Sequence, residues 1–212
     1  MFSEEFLRKE LTAHNFDKWL QKNFYDYVHN SYKSSITNEW NPYTGSCAMH
    51  VVFTVEQLGK KMPEKMLHYI GFKLVTEDSI DHIINLLDKG KIIEFIHTYK
   101  DRHIVNHLPK ENRYGSHDFT IIKATGENKY FVAQSYLHAY KHSLISYNKD
   151  EIKTMLHDII TGLSDYKNKK VWSDVNMGLH KKYFRTELKN YYGNAFKKDG
   201  KMHNIVLSYC EV

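Results

Sequence analysis

The chain is poor in the residues that would settle its class quickly. It has two cysteines, Cys47 and Cys210, in 212 residues. Two thiols so far apart build neither a disulfide framework nor a zinc site by spacing, and reduced thiols are the simpler reading. Three prolines and ten glycines argue against linkers and against a large all-β sandwich. Arginine occurs only at Arg8, Arg102, Arg113 and Arg185, so there is no arginine-rich arm. The densest basic run is Lys167-Asn-Lys-Lys170, and the net charge is only +5. With neither a clustered basic face nor an aromatic strand motif, nucleic-acid binding is disfavoured. No apolar run approaches the roughly 20 residues of a membrane span. The N-terminal Met-Phe-Ser-Glu-Glu-Phe-Leu-Arg-Lys-Glu is charged and lacks the apolar core of a signal peptide. The expectation is a cytoplasmic protein, or one delivered into a host cell without such a peptide.

What is present is the composition of a folded chain. Hydrophobic residues make up 42% and aromatics 14%, enough for one domain with a real core. Residues 1–32 carry Phe6, Leu7, Leu11, Phe16, Trp19, Leu20, Phe24 and Tyr27 at three-to-four spacing, which predicts helix. Asn15 and Asp17 are candidate points of division. Residues 33–46 are loop-like, with Asn41-Pro42 and Thr44-Gly45 as turn punctuation. Ser46 then caps a helix over 47–60, although Val51, Val52 and Val55 leave a buried strand as runner-up. Pro63 opens a short helix, and Thr76-Glu77-Asp78 caps another that runs to Leu87 and ends at Lys89-Gly90. Residues 91–99 are an apolar run with a charged face, helix or strand, and 101–115 are loop.

The pattern then changes. His117-Asp-Phe-Thr-Ile-Ile-Lys123 alternates, a turn follows at 124–128, and 129–137 is a second strand, together the clearest hairpin in the chain. Asn148 caps a helix over 151–163. Val171-Trp172 looks extended, 174–192 weakly helical, and 201–212 is a closing strand. The sum is α+β, helices first and a small antiparallel sheet after.

Cys47 stands where a nucleophilic thiol is usually found. A helix start offers unpaired N–H groups and the positive end of the dipole, both of which favour thiolate. Such a thiol needs a base and a group that orients the base. Of fourteen histidines, His117 is the candidate, at a loop end opening a strand. His103 and His107 lie in a polar loop, His97 on an apolar segment, and His138 and His142 past the second strand. His50 lies one turn after Cys47, within reach of the helix start but pointing along the helix. Asp118, adjacent to His117, projects to the other face. Gln134 is the preferred orienter, since its amide oxygen accepts from an imidazole N–H. It faces His117 if Lys123 lies opposite Asn128; if Lys123 lies opposite Lys129, His117 faces Ser135 instead. The backbone N–H of Cys47 and the side-chain amide of Asn41, six positions upstream, with Asn38 behind it, are candidate oxyanion donors.

Gly45-Ser46-Cys47 opening an apolar helix resembles the nucleophile segment of papain-like cysteine proteases. Asn41 stands where that family has glutamine, and Ala48 where it has an aromatic residue. The order Cys47, His117, Gln134 is that family's order. The short interval and compact size look most like its bacterial effector and toxin members, which include proteases and glutamine deamidases. Tyr130-Phe-Val-Ala-Gln-Ser-Tyr136 is similar to the strand that carries their third residue. The resemblance covers roughly residues 38–140, with 1–32 as a helical extension of one catalytic domain. It implies a papain-like fold, a Cys-His-Gln triad, a protein substrate, no metal or other cofactor and a monomer. A non-enzymatic interaction protein that buries Cys47 as a small hydrophobe is the competing reading. A zinc enzyme lacks the motif it would need.

Overall fold

A computed structural model of the chain describes residues 2–23, 47–67, 71–99, 117–134, 144–164 and 205–212. Two short helices open it, α1 (Glu4–Glu10) and α2 (Ala13–Asn23). Ser3 caps α1 by accepting from the backbone N–H of Phe6 at 3.1 Å. The division falls earlier than Asn15 or Asp17. Thr12 accepts from the Asn15 N–H, while the Asn15 amide turns back and donates to the carbonyls of Lys9 and Glu10. One asparagine thus satisfies the orphan carbonyls of α1 at the start of α2.

Helix α3 (Cys47–Gln57) forms despite its three valines. Val51, Phe53 and Val55 are fully buried, so tertiary packing outweighs their weak helix propensity. Then come the short helix α4 (Glu64–Leu67), strand β1 (Lys73–Leu74) and helix α5 (Glu77–Asp88). Thr76 and Ser79 form a reciprocal capping box on α5, and Gly90, with φ of +77°, follows its end. The run left open between helix and strand is strand β2 (Ile93–Tyr99). The hairpin is β3 (His117–Lys123) and β4 (Tyr130–Ala133), which begins one residue later than the run 129–137 suggests and whose last expected residues, 135–137, lie outside the described residues. Strand β5 (Ile145–Tyr147), helix α6 (Lys149–Ser164) and strand β6 (Ile205–Glu211) complete the described elements. Ser46, Asn41, Asn38, Ser135, the 101–115 loop and residues 165–192 lie outside the described residues.

All six strands join one antiparallel sheet in the order β1-β6-β2-β3-β4-β5. Helices cover both faces. On one face α5 and α6 meet Ile93, Phe95, Phe119, Ile121, Tyr130, Val132, Leu207 and Tyr209. On the other, α1, α2 and α3 meet Ile122, Phe131 and Ala133, and α3 with Met62 and Met66 meets Cys210. Burial on both faces explains why Tyr130-Phe-Val-Ala133 reads as an unbroken apolar run rather than an alternation. The rings of Phe16 and Trp19 pack on Phe53, at 5.2 and 5.9 Å between centroids, and tie α2 to α3.

The hairpin register is neither of the two expected. Lys123 lies opposite Tyr130, and Thr120 opposite Ala133. A longer turn accounts for it. Ala124 N–H donates to the Lys129 carbonyl at 3.0 Å, Gly126 supplies a φ of +77°, and Thr125 N–H donates to the carbonyl of Phe2. The turn is pinned from outside the hairpin by the first residues of the chain, a contact no local pattern reveals. Continuing the register sets Gln134 across from Phe119, so the pairing of His117 with Gln134 or Ser135 does not hold.

At the other edge of the hairpin, Asp88 gathers three donors. Lys123, Lys149 and the Tyr130 hydroxyl reach it at 2.6, 2.7 and 2.5 Å. Partial burial opposes ionisation there, but these three hydrogen bonds hold the Asp88 carboxyl well below the usual carboxylate range.

Candidate functional site

Cys47 is the first residue of α3, and β3 lies directly under that helix end. The sulfur donates to Asp118 Oδ2 at 3.5 Å. Both residues are buried, Cys47 at 7% exposure and Asp118 at 1%. The contact joins residues 71 positions apart and aligns the start of α3 with the start of β3.

His117 is the first residue of β3, paired along the backbone with His97 of β2. Its side chain lies outside the described residues. Gln134 is the residue after β4 and is fully buried. Because β3 and β4 are antiparallel, the start of one and the end of the other meet at the same end of the sheet. Cys47, His117 and Gln134 therefore belong to one end of the sheet, but alternation gives His117 and Gln134 the register positions of the Phe119 face, opposite the face that Cys47 and Asp118 share. Asn41 lies outside the described residues.

The surroundings of Cys47 are more polar than a helix–sheet core requires. Across the face under α3, the register aligns Cys210, Glu94 and Thr120 in one row and Ser208, Ile96 and Asp118 in the next. Glu94, Asp118, Thr120 and Ser208 are all buried, as are His50 and Thr54 on α3. His50 is buried on α3, one turn after Cys47. Its ring meets Phe16 edge-on at 4.8 Å, and the Thr54 hydroxyl sits 3.4 Å from Nδ1.

Glu94 is the residue that sequence reasoning passed over. It is 2% exposed, and its Oε2 has no hydrogen-bond partner among the described residues. Burial, with the negative charge of Asp118 adding to it, pushes its carboxyl up to about 9. Glu94 is therefore a neutral acid at neutral pH. Burial and the nearby Glu94 also push the Cys210 thiol up. The signal for Glu94 was a charge inside Ile92-Ile93-Glu94-Phe95-Ile96, where a strand buried on both faces has no solvated side to offer. Alternation sets Asp118 apart from Phe119 and Ile121, as expected, and the face it takes is the one Cys47 covers.

Among the described residues, no group of three or more His, Cys, Asp or Glu has the arrangement to hold a metal ion. No helix among them is long and apolar enough to cross a membrane. A surface groove lined by Glu127, Lys129, Tyr147 and Glu151 lies at the β3–β4 turn, the opposite end of these strands from Asp118. Compared with protein-family models, with curated proteins and with solved structures, the chain finds no match.

Proposed function

We propose that the chain is a papain-like cysteine hydrolase that cleaves or deamidates an amide bond in a protein substrate, as a bacterial effector acting on a host protein. The observation that supports the reading is the nearness of Cys47 to the start of β3, where its sulfur reaches Asp118, the residue next to His117. Because alternation gives His117 and Gln134 register positions on the other face of the sheet, the reading requires the imidazole to turn around the end of β3 to meet the thiol.

The chemistry follows from the residue types. The Cys47 sulfur attacks the amide carbonyl carbon, and His117 takes the thiol proton and delivers it to the leaving nitrogen. The resulting thioester is opened by water, or by an amine if one is bound in its place. Gln134, diagonal to His117 in the continued register rather than opposite it, would have to reach along the strand to fix the imidazole, and the Cys47 N–H with the Asn41 amide would stabilise the oxyanion. Peptidase and deamidase share these atoms and differ only in which amide is presented.

A second reading has its own support. Cys47 is largely buried and its hydrogen is accepted by a carboxylate, as befits a structural thiol in an interaction protein. A peptidyl vinyl sulfone separates the two, with peptide mass spectrometry locating the adduct. The hydrolase reading expects modification of the native protein at Cys47 and not at Cys210. Modification of Cys47 only after denaturant is added would overturn it in favour of the structural reading.

A further inference from the structure

Two buried carboxyl groups, Asp118 and Glu94, and two buried thiols, Cys47 and Cys210, lie on the sheet face that α3 covers, and only Cys47 has a role in the chemistry above. Asp118 accepts the Cys47 hydrogen at 3.5 Å. Glu94 lies on the neighbouring strand β2, on the same face, two positions from Ile96, which pairs with Asp118. We propose that Asp118 is a positioning residue for Cys47: its carboxylate orients the thiol hydrogen and keeps the sulfur in its protonated resting form, and Glu94 is the acid that confines the negative charge to Asp118.

The reasoning is electrostatic. A carboxylate within hydrogen-bond reach of a thiol favours the neutral S–H, because ionisation would set two anions side by side in a poorly solvated layer. The N-terminal dipole of α3 acts the other way, and the carboxylate, a full charge in contact, outweighs its partial one. Two carboxylates so close do not both ionise. Both are buried, but Asp118 Oδ2 accepts from Cys47 while Glu94 Oε2 has no hydrogen-bond partner among the described residues, and Glu94 is the one held neutral. Among the described residues, the other titratable groups buried on this side are His50 from α3 and Cys210 from β6, and Lys65, Lys73 and Glu211 act on Cys210. Cys47 is thereby a guarded thiol, released when the carboxylate is displaced or its charge is offset by substrate. This regulatory meaning rests on the hydrolase reading, but the protonation of Cys47 does not.

The test reads the thiol itself, in a Cys210→Ser background. The wild-type S–H stretching band, identified by difference against Cys47→Ala, should lie at lower frequency than that of a free thiol. Asp118→Asn keeps an acceptor and removes the charge. Its iodoacetamide alkylation midpoint should fall by about one pH unit, roughly a tenfold gain in rate below the midpoint. Asp118→Ser removes the same charge if the Asn variant does not fold. A merely structural Asp118 would change the melting temperature and leave the alkylation profile in place. An unshifted or raised midpoint, or a free-thiol S–H band in the wild type, would overturn the proposal. Turnover enters neither measurement, so failure here is distinct from failure of the hydrolase reading.

Discussion

Replacing Glu94 with glutamine should remove a pH dependence from the stability of the fold. Glu94 is 2% exposed, and burial with the charge of Asp118 raises its carboxyl from 4.5 to about 9. The native state therefore holds a proton that the unfolded chain releases above 4.5. Stability from this group is complete below the unfolded value, declines as pH rises, and is fully lost once pH passes the folded value. One proton is worth at most about 1.4 kcal/mol per pH unit. From about pH 5 to about pH 8 the wild type should thus lose roughly 4 kcal/mol through Glu94 alone. The amide of Glu94→Gln has no proton to release, so its stability should be flatter across that range by a comparable amount. At the acid end the variant should be the weaker, by about 1–3 kcal/mol, because an NH₂ group enters a site shaped for a carboxyl. Urea unfolding at a series of pH values, followed by tryptophan fluorescence and extrapolated linearly, measures both curves. Parallel curves would refute the reasoning, since they would mean that Glu94 is ionised or hydrated in the native state.

Other expectations follow from single contacts. Asp88→Asn weakens the bonds from Lys123, Lys149 and the Tyr130 hydroxyl and should cost about 1–3 kcal/mol in chemical denaturation at neutral pH. Because the Asp88 carboxyl is held below its usual range, that contribution is present above the unfolded value of 3.8 and lost as pH falls below it. The gap between variant and wild type should therefore close in acid. Leu156→Ala empties a fully buried position under the sheet and should cost about 2–5 kcal/mol, read as a lowered denaturation midpoint with unchanged slope. Ser3→Ala removes the cap of α1 and should cost about 0.5–2 kcal/mol by the same assay.

Much of this arrangement is legible in the sequence wherever a local rule operates. At the start of α5 the Ser79 hydroxyl accepts from the Thr76 N–H, and at the start of α6 the Asn148 side chain accepts from the Glu151 N–H, and such short-range chemistry shows in the order of residues. Cys47 at the head of α3 was legible for the same reason, since turn punctuation precedes it. The α+β class followed from the change of period at His117. What escaped depends on distance. Strands β1 and β5 are two and three residues long, too short for any period to register. The hairpin register depended on Phe2, more than a hundred residues away, reaching the turn at Thr125. Asp118 and Glu94 were missed because their meaning comes from what covers them. A carboxyl on a strand is an ordinary surface residue until a helix is laid over it.

The most direct test of the central claim is the rate at which a peptidyl vinyl sulfone modifies Cys47 in the wild type and in His117→Ala, both verified as folded. If His117 is the base that activates Cys47, the variant should react slower by about 100-fold or more, with the pH dependence of an unassisted thiol. Equal rates in the two proteins would contradict the account, leaving Cys47 a buried thiol with a carboxylate neighbour and no catalytic partner.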